Sequence, residues 1–437
     1  MELAKIAKKD PKTFYIDADF KRCDLSDQSL AQLDTRYANV SRAKLSTMEK
    51  NLWEVRKRVQ THLEHENWEE YANSSVALAA ILKVFWNRTR GANATFYFEE
   101  IVTLYRDALT VYIEAKQPVR WAKTQNNLGN VLKDQARRSQ SPKSSALFQE
   151  AVQAYRDALT VRTKAEHLLD WATTQNNLGN ALSNQALRSQ GPKSTALFQE
   201  AIQIYRDALT VYTKTEHPVD WAKTQNNLAA ALSDQALRSQ GPESTALLKE
   251  AIQAYRDALA VSTKAEHPVD WATTQNNLAI SLANQALRSR GPERAALFQE
   301  AVQTYRDALT VRTKNEHPVR WAMTQNNLAA ALKNQALRSQ GSERAYLFQE
   351  AVQAYRDALT VRTKAEHPVD WAMTKENLAI LELDRAQHEG GQDPRPHLKA
   401  ALAYVEEALT VYDPVHMTYD YGTATRLRDD ILEALSD

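Results

Sequence analysis

The chain has 437 residues, 43% hydrophobic and 25% charged, and its 55 Lys and Arg against 54 Asp and Glu leave a net charge of +1. Such a length holds two or three ordinary domains or one long repeat array, and a charge so balanced gives no excess that would draw nucleic acid or an anionic membrane. Its 10 glycines are too few for a Gly-rich nucleotide-binding α/β enzyme or a turn-dense β-sandwich. The single Cys23 excludes an intramolecular disulfide and a multi-cysteine zinc site. No apolar run reaches the roughly 18 residues that span a bilayer, and Met1 to Asp10 carry no apolar core of signal-peptide length. The expectation is a cytoplasmic protein with no membrane contact.

Residues 1–70 differ from the rest and are expected to form a mostly helical capping or adaptor segment. Ala18 to Arg22 and Cys23 to Asp27 resemble two pentapeptide-repeat quintets, too few to wind a β-helix. Ser46 with Glu49 predicts a capping box for a helix from Thr47 to about Glu64, with Leu52, Val55, Val59 and Leu63 on its apolar side.

From residue 71 to 420 the chain repeats itself. Trp-Ala recurs at Trp121, Trp171, Trp221, Trp271, Trp321 and Trp371, and Tyr-Arg-Asp-Ala-Leu or its close copy begins at Tyr105, Tyr155, Tyr205, Tyr255, Tyr305 and Tyr355. The interval is 50 residues throughout, without an insertion. Tyr71 and Tyr421 occupy the Trp position at the two ends, so the array is expected to hold seven units, with residues 421–437 as a C-terminal capping helix. Within the unit from Leu169 to Pro218, Trp171, Gln175, Leu178 and Leu182 mark one face of a first helix, expected from about Asp170 to Ser189. Gly191-Pro192 then interrupts the chain. A second helix is expected from about Ser194 to Lys214, with Leu197, Ala201, Ile202, Tyr205, Ala208 and Leu209 as its apolar stripe. Pro218 cannot continue that helix. A pair of helices cannot bury stripes this wide alone, so neighbouring units must stack.

The pattern Leu178-Gly179, Leu182, Ala201, Tyr205, Ala208 and Leu209 resembles the signature of tetratricopeptide (TPR) repeats, in a long-helix variant like that of bacterial multidomain signalling proteins. A TPR unit has about 34 residues against 50 here; the extra length falls between Gly179 and Ala201 and between Ala208 and Leu228. The resemblance implies an all-α, right-handed superhelical solenoid of helix-turn-helix repeats whose first helices line a concave groove.

Several motifs invite chemistry that their context does not support. Gly191-Pro192-Lys193-Ser194-Thr195 lacks the Gly before Lys, the earlier Gly and the preceding strand of a phosphate-binding loop. His167, His217, His267, His317 and His367 form a ladder, but packed helices lie about 8–10 Å apart, too far for successive units to share one zinc ion; the reading is a polar turn residue near a helix C-terminus. The Trp column reads as repeated packing, to be placed in the core. No acid–base or nucleophile constellation appears, and no motif calls for a cofactor or metal. The expectation is a protein that is not an enzyme.

One polar feature remains. Asn126-Asn127, Asn176-Asn177, Asn226-Asn227, Asn276-Asn277 and Asn326-Asn327 recur in mid-helix, and the last unit keeps Asn377. Asparagine is a poor interior helix residue, so something must offset its cost. The TPR resemblance places these positions on the concave surface, where such amides bind the main chain of an extended peptide; an amide both donates and accepts, so it suits any peptide unit. The alternative is that one Asn of each pair bridges adjacent first helices. Two further columns are expected to face the groove. One reads Asn130, Asn180, Ala230, Ile280, Ala330, Ile380, and the other Lys123, Thr173, Lys223, Thr273, Met323, Met373. The groove would thus turn from polar and basic to apolar towards the C-terminus. These features point to a protein-interaction module that binds a peptide segment of a partner protein. The second reading is a regulatory sensor that closes on a peptide or partner, and the third, nucleic-acid reading, is disfavoured by the charge balance. Partner identity and oligomeric state are not encoded legibly.

Overall fold

The computed structural model describes residues 47–89, 91–139, 142–388 and 393–436. The two quintets, Cys23 and the Ser46 half of the expected capping box lie outside them. All regular structure among the described residues is helical. The chain divides into two compact units, Met1–Tyr212 and Thr213–Asp437.

In the first unit α1 (Thr47–Glu64) precedes three helix pairs. These are α2 (Trp68–Arg88) with α3 (Ala92–Glu114), α4 (Pro118–Arg138) with α5 (Lys143–Leu159), and α6 (Leu168–Leu187) with α7 (Gly191–Leu209). The second unit holds four pairs: α8 (Pro218–Ala236) with α9 (Gly241–Leu259), α10 (Pro268–Arg288) with α11 (Gly291–Leu309), α12 (Pro318–Ala336) with α13 (Gly341–Leu359), and α14 (Pro368–His388) with α15 (Arg395–Leu409). It ends on α16 (Thr418–Ser436). Within each unit every helix packs on the one before and the one after it, so the first helix of a pair (A) is held by the second (B) of its own pair and of the previous one.

The boundaries follow from local chemistry. Proline at the first turn starts α8, α10 and α12, where its missing N–H costs nothing. The preceding His217, His267 and His317 are the N-cap residues, with the Trp221, Trp271 and Trp321 amides donating to their carbonyls at 2.8–2.9 Å. The histidine column thus stands at the entry of the next helix and not, as the sequence suggests, by the end of the last one. From α5 onward the B helices end at Leu209 and its equivalents, five residues short of the expected Lys214, whereas α3 runs on to Glu114, the equivalent of Lys214. There the Thr210 amide turns to Asp207 O at 3.1 Å and its hydroxyl donates to the same carbonyl at 2.6 Å, a tightened last turn that Ala260 makes with its amide alone, at 3.2 Å from Asp257 O. Gly191, Gly241, Gly291 and Gly341 all take φ of 57–59°, the left-handed region where a side chain would be strained. Each lets the chain reverse from an A helix into a B helix.

The core is made of B-helix aromatics. Phe148, Tyr155, Phe198, Tyr205, Tyr255, Phe298, Phe348 and Tyr355 are among the largest fully buried side chains. The tryptophans expected there are half-buried instead. In five of the six, all but Trp121, a lysine from the turn before the helix lies over the ring, with Lys164, Lys214, Lys264, Lys314 and Lys364 Nζ at 5.4–5.9 Å from the ring centroids. Exposed ion pairs link successive B helices at a spacing of 44 residues: Arg106–Glu150 and Arg156–Glu200 in the first unit, Arg256–Glu300 and Arg306–Glu350 in the second. Pairs this exposed contribute about 0–1 kcal/mol each, so burial of the aromatics and alanines sets the stability.

Candidate functional site

On the A helices a buried threonine column (Thr124, Thr174, Thr224, Thr274, Thr324, Thr374) runs beside the asparagine pairs. In the second unit Thr274, Thr324 and Thr374 each meet the first Asn of the previous pair. Thr274 lies 3.2 Å from Asn226 Oδ1, Thr324 3.1 Å from Asn276 Oδ1, and Thr374 3.2 Å from Asn326 Oδ1. The Thr324 hydroxyl is also 2.9 Å from Arg320 O, so its one proton is shared between two acceptors. In the first unit Asn126 Oδ1 accepts from Asn177 Nδ2 at 3.1 Å. The first asparagines Asn126, Asn226, Asn276 and Asn326 therefore bridge adjacent A helices, and Asn126 and Asn276 are buried while doing so. Asn176 is half-buried.

The second asparagines Asn127, Asn177, Asn227, Asn277, Asn327 and Asn377 are all half-buried. Asn177 and Asn377 hand a proton back to the rung before them, at 3.1 and 3.4 Å, and Asn277 accepts from its neighbour Asn276 at 3.3 Å. Asn327 opens onto a cleft of about 250 Å³ between α10 and α12, with α11 as its floor. Ile280, Leu287, Phe298 and Tyr305 form the apolar part of that cleft, and the Asn284, Asn327 and Asn334 amides its polar part.

The column that starts at Asn130 interacts with the B-helix tyrosine of the same pair. Tyr155 OH donates to Asn130 Oδ1 at 2.8 Å and Tyr205 OH to Asn180 Oδ1 at 2.9 Å. The ring lies across the preceding glycine: a Cβ on Gly129 would sit 2.8 Å from Tyr155 Cε1, and one on Gly179 2.7 Å from Tyr205 Cε1. Where this column turns apolar, alanine replaces the glycine, as in Ala279-Ile280 and Ala379-Ile380. Ile280 then packs on the cluster that contains Tyr305, and Ile380 is half-buried. In the second column Lys123 and Lys223 are exposed, Met323 is half-buried and Met373 is 47% exposed.

Sequence reasoning missed a third column. The column holds Tyr112, in the last turn of α3, and Arg162, Tyr212, Ser262, Arg312, Arg362 and Tyr412, each in the turn after its B helix. All are buried or nearly so, and their polar ends reach the A helices beside the Asn ladder. Arg162 donates to Thr174 Oγ1 at 3.0 Å and pairs with Asp170 at 3.4 Å. Arg362 donates to Thr374 Oγ1 at 3.2 Å and pairs with Asp370 at 3.7 Å. Arg312 donates to Thr324 Oγ1 at 3.0 Å and to Thr273 Oγ1 at 3.2 Å, but eight residues on it meets Arg320 where its counterparts meet aspartate. Burial pushes the Arg312 guanidinium down to about 10, and Arg320 adds repulsion. The available signal was this correlation across the turn: acid eight residues after arginine in two units and arginine in a third.

The TPR-like positions are buried as that signature demands: Leu178, Gly179, Leu182, Ala201, Tyr205 and Ala208 all lie in the contact between the two helices of one pair. The fold is accordingly an all-α array of TPR-like helix-turn-helix repeats. No protein-family model matches the chain, and no curated protein matches it. Among solved structures it is similar to the apo form of RapI, at 14% identity over 90% of this chain and 99% of that one with a TM-score of 0.41. It is also similar to a circular tandem repeat protein with a novel repeat topology (12% identity, 89% of each chain, TM-score 0.31) and to yeast Tom70 (10% identity, 88% of this chain and 97% of that one, TM-score 0.16).

Proposed function

We propose that the protein is a non-enzymatic interaction module that binds a peptide segment of a partner protein on the A-helix face of its second unit. The observation that carries this reading is the cleft between α10 and α12. It offers an apolar floor of Ile280, Phe298 and Tyr305 beside half-buried amides, of which Asn327 has no protein hydrogen-bond partner among the described residues. A half-buried amide that opens onto a cleft can satisfy the N–H or C=O of a ligand backbone. The first asparagines hold the A helices in register, while Asn327 and its equivalents take the ligand main chain. Ile280, Met323, Met373 and Ile380 supply side-chain preference, and methionine adapts to several shapes.

The test uses peptides selected from a random library on the full-length chain. Met323→Lys with Met373→Lys weakens the selected peptides at least about tenfold, because burying one such side chain is worth roughly 1.5–3 kcal/mol and about 1.4 kcal/mol is a factor of ten. The thermal midpoint stays near wild type, because Met373 is already 47% exposed. Equal losses of binding and stability would make these residues core, and undiminished binding would place the ligand on another face.

A further inference from the structure

The buried arginine of the α11–α12 turn is the one point where the repeats break an electrostatic rule. In the two sister turns a buried guanidinium has an aspartate of the following A helix at 3.4 or 3.7 Å. Arg312 is as deeply buried as they are, at 4% exposure against 5% for Arg162 and 9% for Arg362. Yet the aspartate position holds Arg320, a second cation, and among the described residues no carboxylate pairs with either arginine. The only other cation in that aspartate column, Arg120, is paired with Glu69 at 2.8 Å, and its turn residue is the neutral Tyr112. The Nε atoms of Arg162 and Arg312 both lack a partner, so the missing counter-ion is what sets Arg312 apart. A buried charge without one is among the costliest features a fold can carry, and a second guanidinium alongside raises that cost. Two threonine hydroxyls orient the Arg312 fork but bring no charge.

The place left empty has a defined chemistry. In the sister turns it is filled by a carboxylate that approaches from the start of the A helix, beside its N-terminal N–H groups. Arg320 is exposed at that point, and Met323 and Thr324 follow one turn along the same helix. Thr324 in turn contacts both Arg312 and Asn276, so the guanidinium belongs to the same polar row as the ladder. We propose that Arg312 and Arg320 form an acceptor for a carboxylate side chain of the bound peptide, an Asp or Glu that supplies from outside the counter-ion that Asp170 and Asp370 supply from within. This inference rests on the peptide-binding reading of the A-helix face and adds one acidic residue to what the ligand must contain.

The probes are again peptides selected from a random library on the full-length chain, with fluorescence anisotropy as readout. They carry Asp or Glu at one fixed position, and its replacement by Asn or Gln weakens binding to wild type by about tenfold, the size expected of one charge-assisted contact of roughly 1.4 kcal/mol. Arg320→Asp restores the internal counter-ion; it folds with a thermal midpoint no lower than wild type and loses the preference, so that acid and amide peptides bind it alike. Arg320→Asn removes the second cation without providing an acid, and keeps the preference through Arg312. Selected peptides with no fixed acid, or an acid-to-amide loss of the same size on wild type and Arg320→Asp, overturn the proposal. If such acid-free peptides are still weakened by Met323→Lys with Met373→Lys, the groove reading stands while this one falls. If the library yields no binder, both fall together.

Discussion

Gly179 and Asn180 act as one device, and separating them exposes the coupling. A Cβ built on Gly179 lies 2.7 Å from Tyr205 Cε1 and 2.8 Å from Cζ, closer than carbon atoms pack, and the ring is held there by its hydroxyl bond to Asn180 at 2.9 Å. Gly179→Ala therefore gains about 0.8–1 kcal/mol of helix propensity and loses about 1–3 kcal/mol to overpacking, a net change between neutral and about 2 kcal/mol destabilising. Asn180→Ala alone costs about 1–3 kcal/mol, because the buried tyrosine hydroxyl loses its acceptor. In the Asn180→Ala background the ring is free to shift, as it must in the sister units that read Ala229-Ala230 and Ala329-Ala330. There Gly179→Ala becomes stabilising by up to about 1 kcal/mol. The double-mutant cycle, measured by urea unfolding of the first unit's transition, should give a coupling of at least about 1 kcal/mol in favour of the double variant. Additive effects would refute the claim that the tyrosine contact is what demands glycine.

Trp221→Ala should cost about 1–3 kcal/mol, less than the roughly 3–5 kcal/mol of a fully buried aromatic, because its ring is half-buried under Lys214. Hydrogen exchange should show protection lost first in α8 and α9, since contacts in a repeat array are between neighbours; a uniform loss across the second unit would contradict a local packing role. Burial raises the Asp234 carboxyl above its ordinary value, with Arg238 opposing. A carboxyl raised on folding contributes its stability below the unfolded pKa and loses it as pH rises through the folded one. Asp234→Asn should therefore be more stable than wild type at neutral pH, and the difference should vanish in acid, below the ordinary aspartate range. Equal pH profiles for the two proteins in thermal unfolding would contradict the burial argument.

Much of the fold is visible in the sequence because a 50-residue identity repeat leaves few ways to bury Leu178, Leu182, Ala201, Tyr205 and Ala208 at once. The helix ends are less visible. Nothing in the periodicity separates Leu209 from Lys214, because the stop is a backbone turn, in which the Thr210 and Ala260 amides reach back to Asp207 and Asp257, and such a turn leaves no mark in the apolar spacing. The tryptophan column misleads for a related reason: regular recurrence marks a repeated environment, not a dry one, and the lysine that lies over five of the six rings shows which. Within the site, spacing puts both asparagines of a pair on the A helix but cannot say which faces the next A helix. That is settled by a third residue, the buried threonine two positions earlier in the following unit, which reaches Asn226, Asn276 and Asn326.

Repeats this similar let one unit serve as the control for another. Where two residues change together, the structure supplies the contact that links them: Gly with Asn across a tyrosine ring, and Arg with Asp across the turn between a B helix and the next A helix. Such paired changes keep the fold's internal accounts closed and need no ligand. The changes that lack an internal partner are of another kind. Met373 stands 47% exposed on α14, and among the described residues Asn327 has a half-buried amide with no protein acceptor or donor and Arg312 a buried charge with no counter-ion. All three lie on or beside the A helices of the second unit. The B-helix surface keeps its Gln253–Asp257, Gln303–Asp307 and Gln353–Asp357 pairs intact in successive units at 2.9 Å, although Tyr346 on α13 stands 63% exposed there. Uncompensated polar and charged groups gathered beside the A helices, Asn327 and Arg312, support the proposal that this face is a binding surface whose complement is on another molecule.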